Sequence, residues 1–294
     1  MLLRRESALN KSIVKKSLFA PAAVYDGSCG PWPKGTAVNQ NPFPIDGTGR
    51  VSLSSSRQHN LLLSSLSQND YSSIAAHLQP KELELGRTLH HPNEAISLVY
   101  FLNSGLGSCV SEAQNGGNVE VGVIGWEGLA GIPVLLGSDR TPNRVFMQVP
   151  GEALAISANV LISLMNESQP LRTVLHKYVH VYMMQLSQTA ACNRVHDVRE
   201  RLARWLLMSH DRCQRCEVMP LTHEFLGLML GTRRSSVTVA AGMLQAAGMI
   251  DYKHGSVKIL NREALEDTAC DCYAIVRQEQ ERVFPNIRHD FVNP

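Results

Sequence analysis

No run of about 18 uncharged apolar residues occurs in this chain of 294 residues, so no segment reads as a membrane-spanning helix. Excess charge of one sign is equally scarce. Lys and Arg number 28 against 26 Asp and Glu, a formal net charge of +2, so any basic surface must be local. The N-terminal MLLRRESALNKSIVKKSLFAPAAVYDG lacks an unbroken apolar core because Lys15 and Lys16 interrupt it, which argues against a secretory signal. The 7 cysteines, an odd number in a long chain, do not suggest a disulfide framework. A reducing cytoplasm is the expected location. No P-loop, Ser/His/Asp set or paired carboxylates are visible, and an enzyme is not expected.

What is present is ordered along the chain. Residues 1–60 are rich in Ser, Pro, Gly and Asn and carry eight basic residues against three acidic ones. They read as a disordered tail, or as sequence upstream of a misassigned start. Residues 61–165 open with a short helical pair from Asn60 to His77. Short β-branched runs follow, broken by Gly, Pro and Asn: LELGRTLH, SLVYFLNSG, GSCVSEAQNGG, NVEVGVIG and RVFMQVPG. That spacing predicts an antiparallel β-roll of jelly-roll type ending near Ile156, with a hairpin turn at Asn115 to Asn118.

Residues 166–195 are helical. Leu171, Val174, Leu175, Tyr178, Val181, Tyr182, Leu186, Thr189 and Ala190 form a stripe, read as a dimerisation face with packing on the β-roll as the alternative. In residues 196–294, HDVRERLARWLLMSHD turns Val198, Leu202, Trp205 and Leu206 inward. Then come PLTHEFLGLMLG, GTRRSSVTVAAGMLQAAGMI and DYKHGSVKIL: helix, turn, helix and hairpin, with a helix after it. Thr222 stands where an N-cap belongs, Gly231 at the turn, and Thr232 where the second helix, expected over 232–247, needs a cap. The fold class is α+β. A helix–turn–helix with a hairpin wing is an arrangement that binds double-stranded DNA.

DVRERLARWLL and LTHEFLGLMLGTRRSSVTVAAGMLQAAGMI resemble the linking helix and winged helix–turn–helix of the Crp/Fnr family of transcription regulators. The resemblance implies a cyclic-nucleotide-binding-type β-roll, a homodimer and, in an activator, contact with RNA polymerase. It also implies that Arg234 reads a guanine, a pairing that suits the two parallel donors of guanidinium. Arg233, Ser236, Thr222 and Thr232 are then phosphate contacts, with Ser235 and Thr238 on the same helix and Lys253 and His254 in the wing. The best-studied members of the family carry Glu directly after the guanine-reading arginine and Arg one turn later. Ser235 and Val239 stand there, so a different half-site is expected.

The resemblance also places the effector pocket at Gly131, Ile132 and Arg144. Ile132 stands where cyclic-nucleotide binders have the Glu that holds ribose, and Val145 replaces the Ser after the phosphate arginine, so a cyclic nucleotide is not expected. An iron–sulfur cluster is not expected either, with only Cys29 in the tail and Cys109 in the roll. His90, His91 and Glu94 lack the third histidine of a β-roll metal site. Cys213, Cys216, Cys270 and Cys272 have spacings compatible with a Cys₄ zinc site, but buried or idle thiols are the plainer reading, and neither metal nor cofactor is expected. The alternative function is a metabolite- or metal-binding β-roll protein whose main activity is not DNA binding.

Overall fold

The computed structural model describes residues 60–112, 118–213, 218–285 and 287. The tail, the expected hairpin turn at Asn115 to Gly117, Cys29 and Cys216 lie outside them. The fold begins with two short helices, α1 (Leu61–Ser64) and α2 (Gln68–Ala75), where the helical pair was expected. Asn60 anchors them to the roll. Its Oδ1 caps α1, and its amide donates to Leu102 O at 2.7 Å and Gly128 O at 2.8 Å.

The β-roll consists of two four-stranded antiparallel sheets. One has the order β1 (Gln79–Leu83), β8 (Gly151–Ser157), β3 (Leu98–Leu102), β6 (Leu129–Ala130). The other has the order β2 (Thr88–His90), β7 (Arg144–Val149), β4 (Leu106–Glu112), β5 (Asn118–Ile124). LELGRTLH, expected as one strand, is split between β1 and β2 by a turn in which Gly86 has φ 77°. A short helix, α3 (Ile132–Leu135), follows β6.

Two helices close the roll: α4 (Ala158–Glu167) and the 27-residue α5 (Gln169–Val195). Leu171, Leu175, Tyr178, Val181 and Tyr182 are buried in one core with Phe101, Leu129 and Leu154 of the roll, and Val174 and Leu186 pack at its edge. The stripe from Leu171 to Leu186 is thus the seam between α5 and its own β-roll, while Thr189 is half-buried and Ala190 exposed. The face left exposed includes His176, His180, Met183, Ser187, Ala190 and Ala191.

A second core lies under the C-terminal part. Asp197 and Glu200 form a capping box at the start of α6 (Val198–Arg212). Leu202, Trp205 and Leu206 point inward as expected. They join residues of α7 (His223–Met229) and α8 (Arg234–Ala246) and also Leu106, Val110, Val123 and Phe146 of the roll. The wing is β10 (Ile250–Lys253) and β11 (Ser256–Ile259), paired with the short β9 (Met219–Pro220). Helices α9 (Arg262–Thr268) and α10 (Cys272–Val283) follow the wing, α10 packing along α5.

Candidate nucleic-acid interface and its junction with the β-roll

The turn between α7 and α8 is tight for two reasons. Gly231 has φ +57°, a left-handed backbone that side chains with a Cβ rarely adopt. Gly227 lets the start of α8 come close, since a Cβ there would meet Thr232 O at 3.0 Å. Thr222 caps α7 as expected, accepting from Phe225 N at 3.1 Å. Thr232 does not cap α8. Its N–H donates back to Gly227 O at 2.8 Å, which draws it into the turn, and Arg233 becomes the cap residue with no side-chain bond. The helix therefore runs from Arg234 rather than Thr232, and its first-turn N–H groups have no side-chain acceptor.

Helix α8 divides sharply. Val237, Ala240, Ala241 and Leu244 are buried, while Arg233, Arg234, Ser235 and Thr238 are exposed and Ser236 is half-buried. Val239 and Met243, 59% and 53% exposed, continue the open face with apolar surface. Among the described residues neither Arg233 nor Arg234 forms an ion pair. Thr238 Oγ1 lies 3.0 Å from His223 Nδ1 and also donates to Arg234 O. His223 stacks on Tyr252 of the wing at 4.2 Å, and Tyr252 OH donates to Leu221 O. Burial, followed by the Arg234 charge, lowers the His223 pKa and favours its neutral form. At the wing tip His254 and Gly255 have φ 51° and 77°, the pattern of a type I′ turn. Lys253 is exposed and pairs with Asp251 at 2.9 Å.

Two buried carboxylates of the roll hold α6. Glu120 on β5 accepts from Trp205 Nε1 at 2.6 Å and from Ser108 Oγ, which also reaches Gln148. Desolvation pushes the Glu120 pKa up to about 7, against the pull of its hydrogen bonds. Glu127 pairs with Arg212 Nε at 2.6 Å, and Arg212 Nη2 donates to Gln185 of α5 at 2.7 Å. Small cavities flank both contacts. One is lined by Glu120, Arg201, Arg204, Trp205 and Met229, the other by Trp126, Glu127, Arg212 and Tyr273. Sequence reasoning missed this junction: a carboxylate in an alternating strand looks like an outward residue until the partner helix is placed.

The expected effector residues are dispersed in role. Gly131 precedes α3, and Ile132 packs at the edge of the roll's core. Arg144 Nε is 3.6 Å from Glu112, and its guanidinium lies 4.7 Å over the Phe146 ring. His90 is buried, with Nε2 2.9 Å from Leu98 O, and burial lowers its pKa.

The cysteines are sorted differently from their sequence spacing. Cys270 and Cys272 converge with Cys192 and His196, while Cys213 stands outside that group and donates to His210 O at 3.7 Å. The Cys270 hydrogen bond, with the Arg204 charge behind it, holds the Cys192 thiol well below the ordinary thiol range.

A β-roll of two four-stranded sheets, a long helix and a winged helix–turn–helix docked through α6 thus follow one another along the described chain. Residues 200–268 match the family model of the Crp-like helix-turn-helix domain. The chain has the fold of a crp/fnr-family transcriptional regulator from Eubacterium rectale, with 16% identity, a TM-score of 0.57 and coverage of 72% of this chain and 98% of that one. It is similar in the same way to FixK2 from Bradyrhizobium japonicum, at 14% identity, TM-score 0.57, 66% of this chain and 98% of that one. The c-di-GMP responsive global regulator CLP of Xanthomonas campestris aligns at 17% identity, TM-score 0.54, 66% of this chain and 99% of that one. The search of curated proteins returns no match.

Proposed function

We propose that the protein is a sequence-specific DNA-binding transcription regulator that acts as a homodimer on an inverted repeat. The observation that carries this reading is the open face of α8: two arginines without ion pairs among the described residues, Ser235, Thr238 and a helix start without a side-chain cap. Phosphates suit that start, because free N–H groups and the helix dipole favour an anion. Arg234 offers two parallel donors to guanine O6 and N7, and exposed Val239 and Met243 offer methyl contact to thymine. Lys253 and His254 reach the backbone from the wing. The half-sites lie about one turn, ~34–36 Å, apart. The dimer seam uses the exposed face of α5, where Ser187, Ala190 and Ala191 permit close approach between helices. In an activator, RNA polymerase is the further partner.

The effector is not a cyclic nucleotide in this reading. Ile132 offers no acceptor for ribose, and Arg144 is held between Glu112 and Phe146. A signal in the roll reaches α8 through the Glu120 and Glu127 contacts to α6, a population shift of the docked reader. The test is a fluorescence or gel-shift titration against genomic fragments at two salt concentrations. A regulator binds selected fragments tightly, with affinity falling steeply as salt rises. Absence of salt-dependent binding to any fragment would instead favour a β-roll protein that binds a metabolite.

A further inference from the structure

The end of α5 carries a second constellation that DNA reading does not use. Cys192 and His196 lie four residues apart, so the helix sets them on one side. The helix ends at His196, which turns extended with φ −106° and ψ 151° while its N–H still donates to Cys192 O. Cys270 and Cys272 arrive from the turn between α9 and α10, with Cys272 the first residue of α10. Cys192 Sγ and Cys270 Sγ are 3.5 Å apart across 78 residues of sequence, and Cys272 Sγ is 3.5 Å from His196 Nδ1. The four ligand atoms all lie within 4.8 Å of one another.

We propose that Cys192, His196, Cys270 and Cys272 form a tetrahedral Cys₃His site for one zinc ion, joining the end of α5 to the start of α10. In such a site, Zn–S bonds of about 2.3 Å and Zn–N bonds of about 2.0 Å place neighbouring ligand atoms about 3.5–3.8 Å apart. An iron–sulfur cluster separates ligands of different irons further than this set allows. Thiolate and imidazole in tetrahedral array suit zinc above the hard cations.

Three further features fit a metal better than a cluster of small buried residues. Cys192, Cys270 and Cys272 are 0%, 6% and 1% exposed, and they form a cluster of their own, apart from the two large apolar cores. Gln188 Nε2 donates to Cys272 Sγ at 3.1 Å, the outer contact that orients a ligating thiolate. Arg201 and Arg204 are buried near Cys192 and, among the described residues, donate to neutral acceptors: Asn193 Oδ1, Leu230 O and Thr189 Oγ1; Glu120, the carboxylate whose charge acts on Arg204, is itself pushed toward its neutral form by burial. The Nε of each has no partner among the described residues. Buried cations need a counter-charge. Zinc bound by three thiolates and a neutral imidazole has a net charge of −1 and supplies one.

Zinc in this position fixes α10 against α5 and so sets the C-terminal part on the long helix. Metal binding does not depend on DNA recognition and is measured with no DNA present. The full chain, purified under reducing conditions from zinc-supplemented cells, is analysed for metal and then titrated with cobalt(II) after zinc removal. The expected result is one zinc per chain, and a cobalt form with thiolate charge-transfer bands and intense tetrahedral d–d bands that zinc bleaches at one equivalent. Cys213→Ser leaves these spectra unchanged. His196→Gln, at a half-buried position that tolerates exchange, weakens cobalt binding by about tenfold or more, and Cys272→Ser abolishes the tetrahedral spectrum. Less than stoichiometric metal, a Cys192–Cys270 disulfide in the fresh reduced protein, or loss of the spectrum in Cys213→Ser would each overturn the proposal.

Discussion

Arginine appears at two contrasting places in this molecule, the open face of α8 and the buried inner face of α6. On α8, Arg233 and Arg234 are exposed and no described residue pairs with them. On α6, Arg212 is 9% exposed at its side chain, sealed against Glu127 and Gln185. The same guanidinium is spent on the fold in one place and left for a ligand in the other. Burial with a partner marks a residue whose loss damages folding. Exposure without one marks a residue whose loss should spare the fold and weaken binding.

The sharpest way to break that contrast is Arg212→Met. It leaves Glu127 buried without its cation, and removing one partner of such a pair costs about 3–5 kcal/mol. Denaturant unfolding should show that loss, and the double change with Glu127→Gln should recover much of it, since no uncompensated charge then remains. A single change as mild as a surface substitution would mean that water reaches this junction.

Glu120 should respond to pH in the next largest step. Its pKa is raised from the usual carboxylate value to about 7, so the folded state favours the neutral acid. For a raised carboxyl, the unfolded chain releases its proton first. Stability is therefore full below about pH 4.5, falls as pH rises toward 7, and is flat above. The whole step is up to about 3 kcal/mol. Denaturant unfolding followed by tryptophan fluorescence at pH 5 and pH 8 measures the step, and Glu120→Gln should flatten it. A slope that survives in the variant would assign the titration elsewhere.

The two regions also differ in how far the sequence announces them. Helix α8 and its turn are local: twenty consecutive residues hold the turn glycine, the arginines and the apolar face of α8, so spacing alone places them. Even there the helix start is displaced by two residues, because Thr232 spends its N–H on Gly227 O inside the turn. The junction is not local. Trp205 and Glu120 are 85 residues apart, and nothing in an alternating strand says that Glu120 faces inward. The cysteines show the same limit, since C-x-x-C spacing drew attention to Cys213 and Cys216 while chain topology brought Cys192 and His196 to Cys270 and Cys272. The periodicity of α5 was readable, but not its partner. A stripe that suits a second helix equally suits the β-roll that covers it.

Arg234→Ala tests the exposed side of the contrast. Specific affinity should fall by about 1–3 kcal/mol with relaxed preference at one base pair, while unfolding stays within about 0.5 kcal/mol of the parent. Uniform weakening over all fragments would make Arg234 a phosphate contact instead.

Lys253→Ala should have the smallest effect, and the reason lies between the two extremes. Lys253 is exposed like Arg234, yet its ammonium already pairs with Asp251 at 2.9 Å. An exposed pair of this kind contributes about 0–1 kcal/mol to stability, so the fold should not notice the change. Toward DNA, the lysine must share its charge between Asp251 and a phosphate. Binding should therefore weaken evenly across sequences, with the slope of log affinity against log salt shallower by about 1 at most. Asp251→Ala should act in the opposite direction, freeing the ammonium and tightening binding at low salt. If Lys253→Ala instead changes which fragments are preferred, the wing reads base edges, and the division between a reading helix and a positioning wing would have to be redrawn.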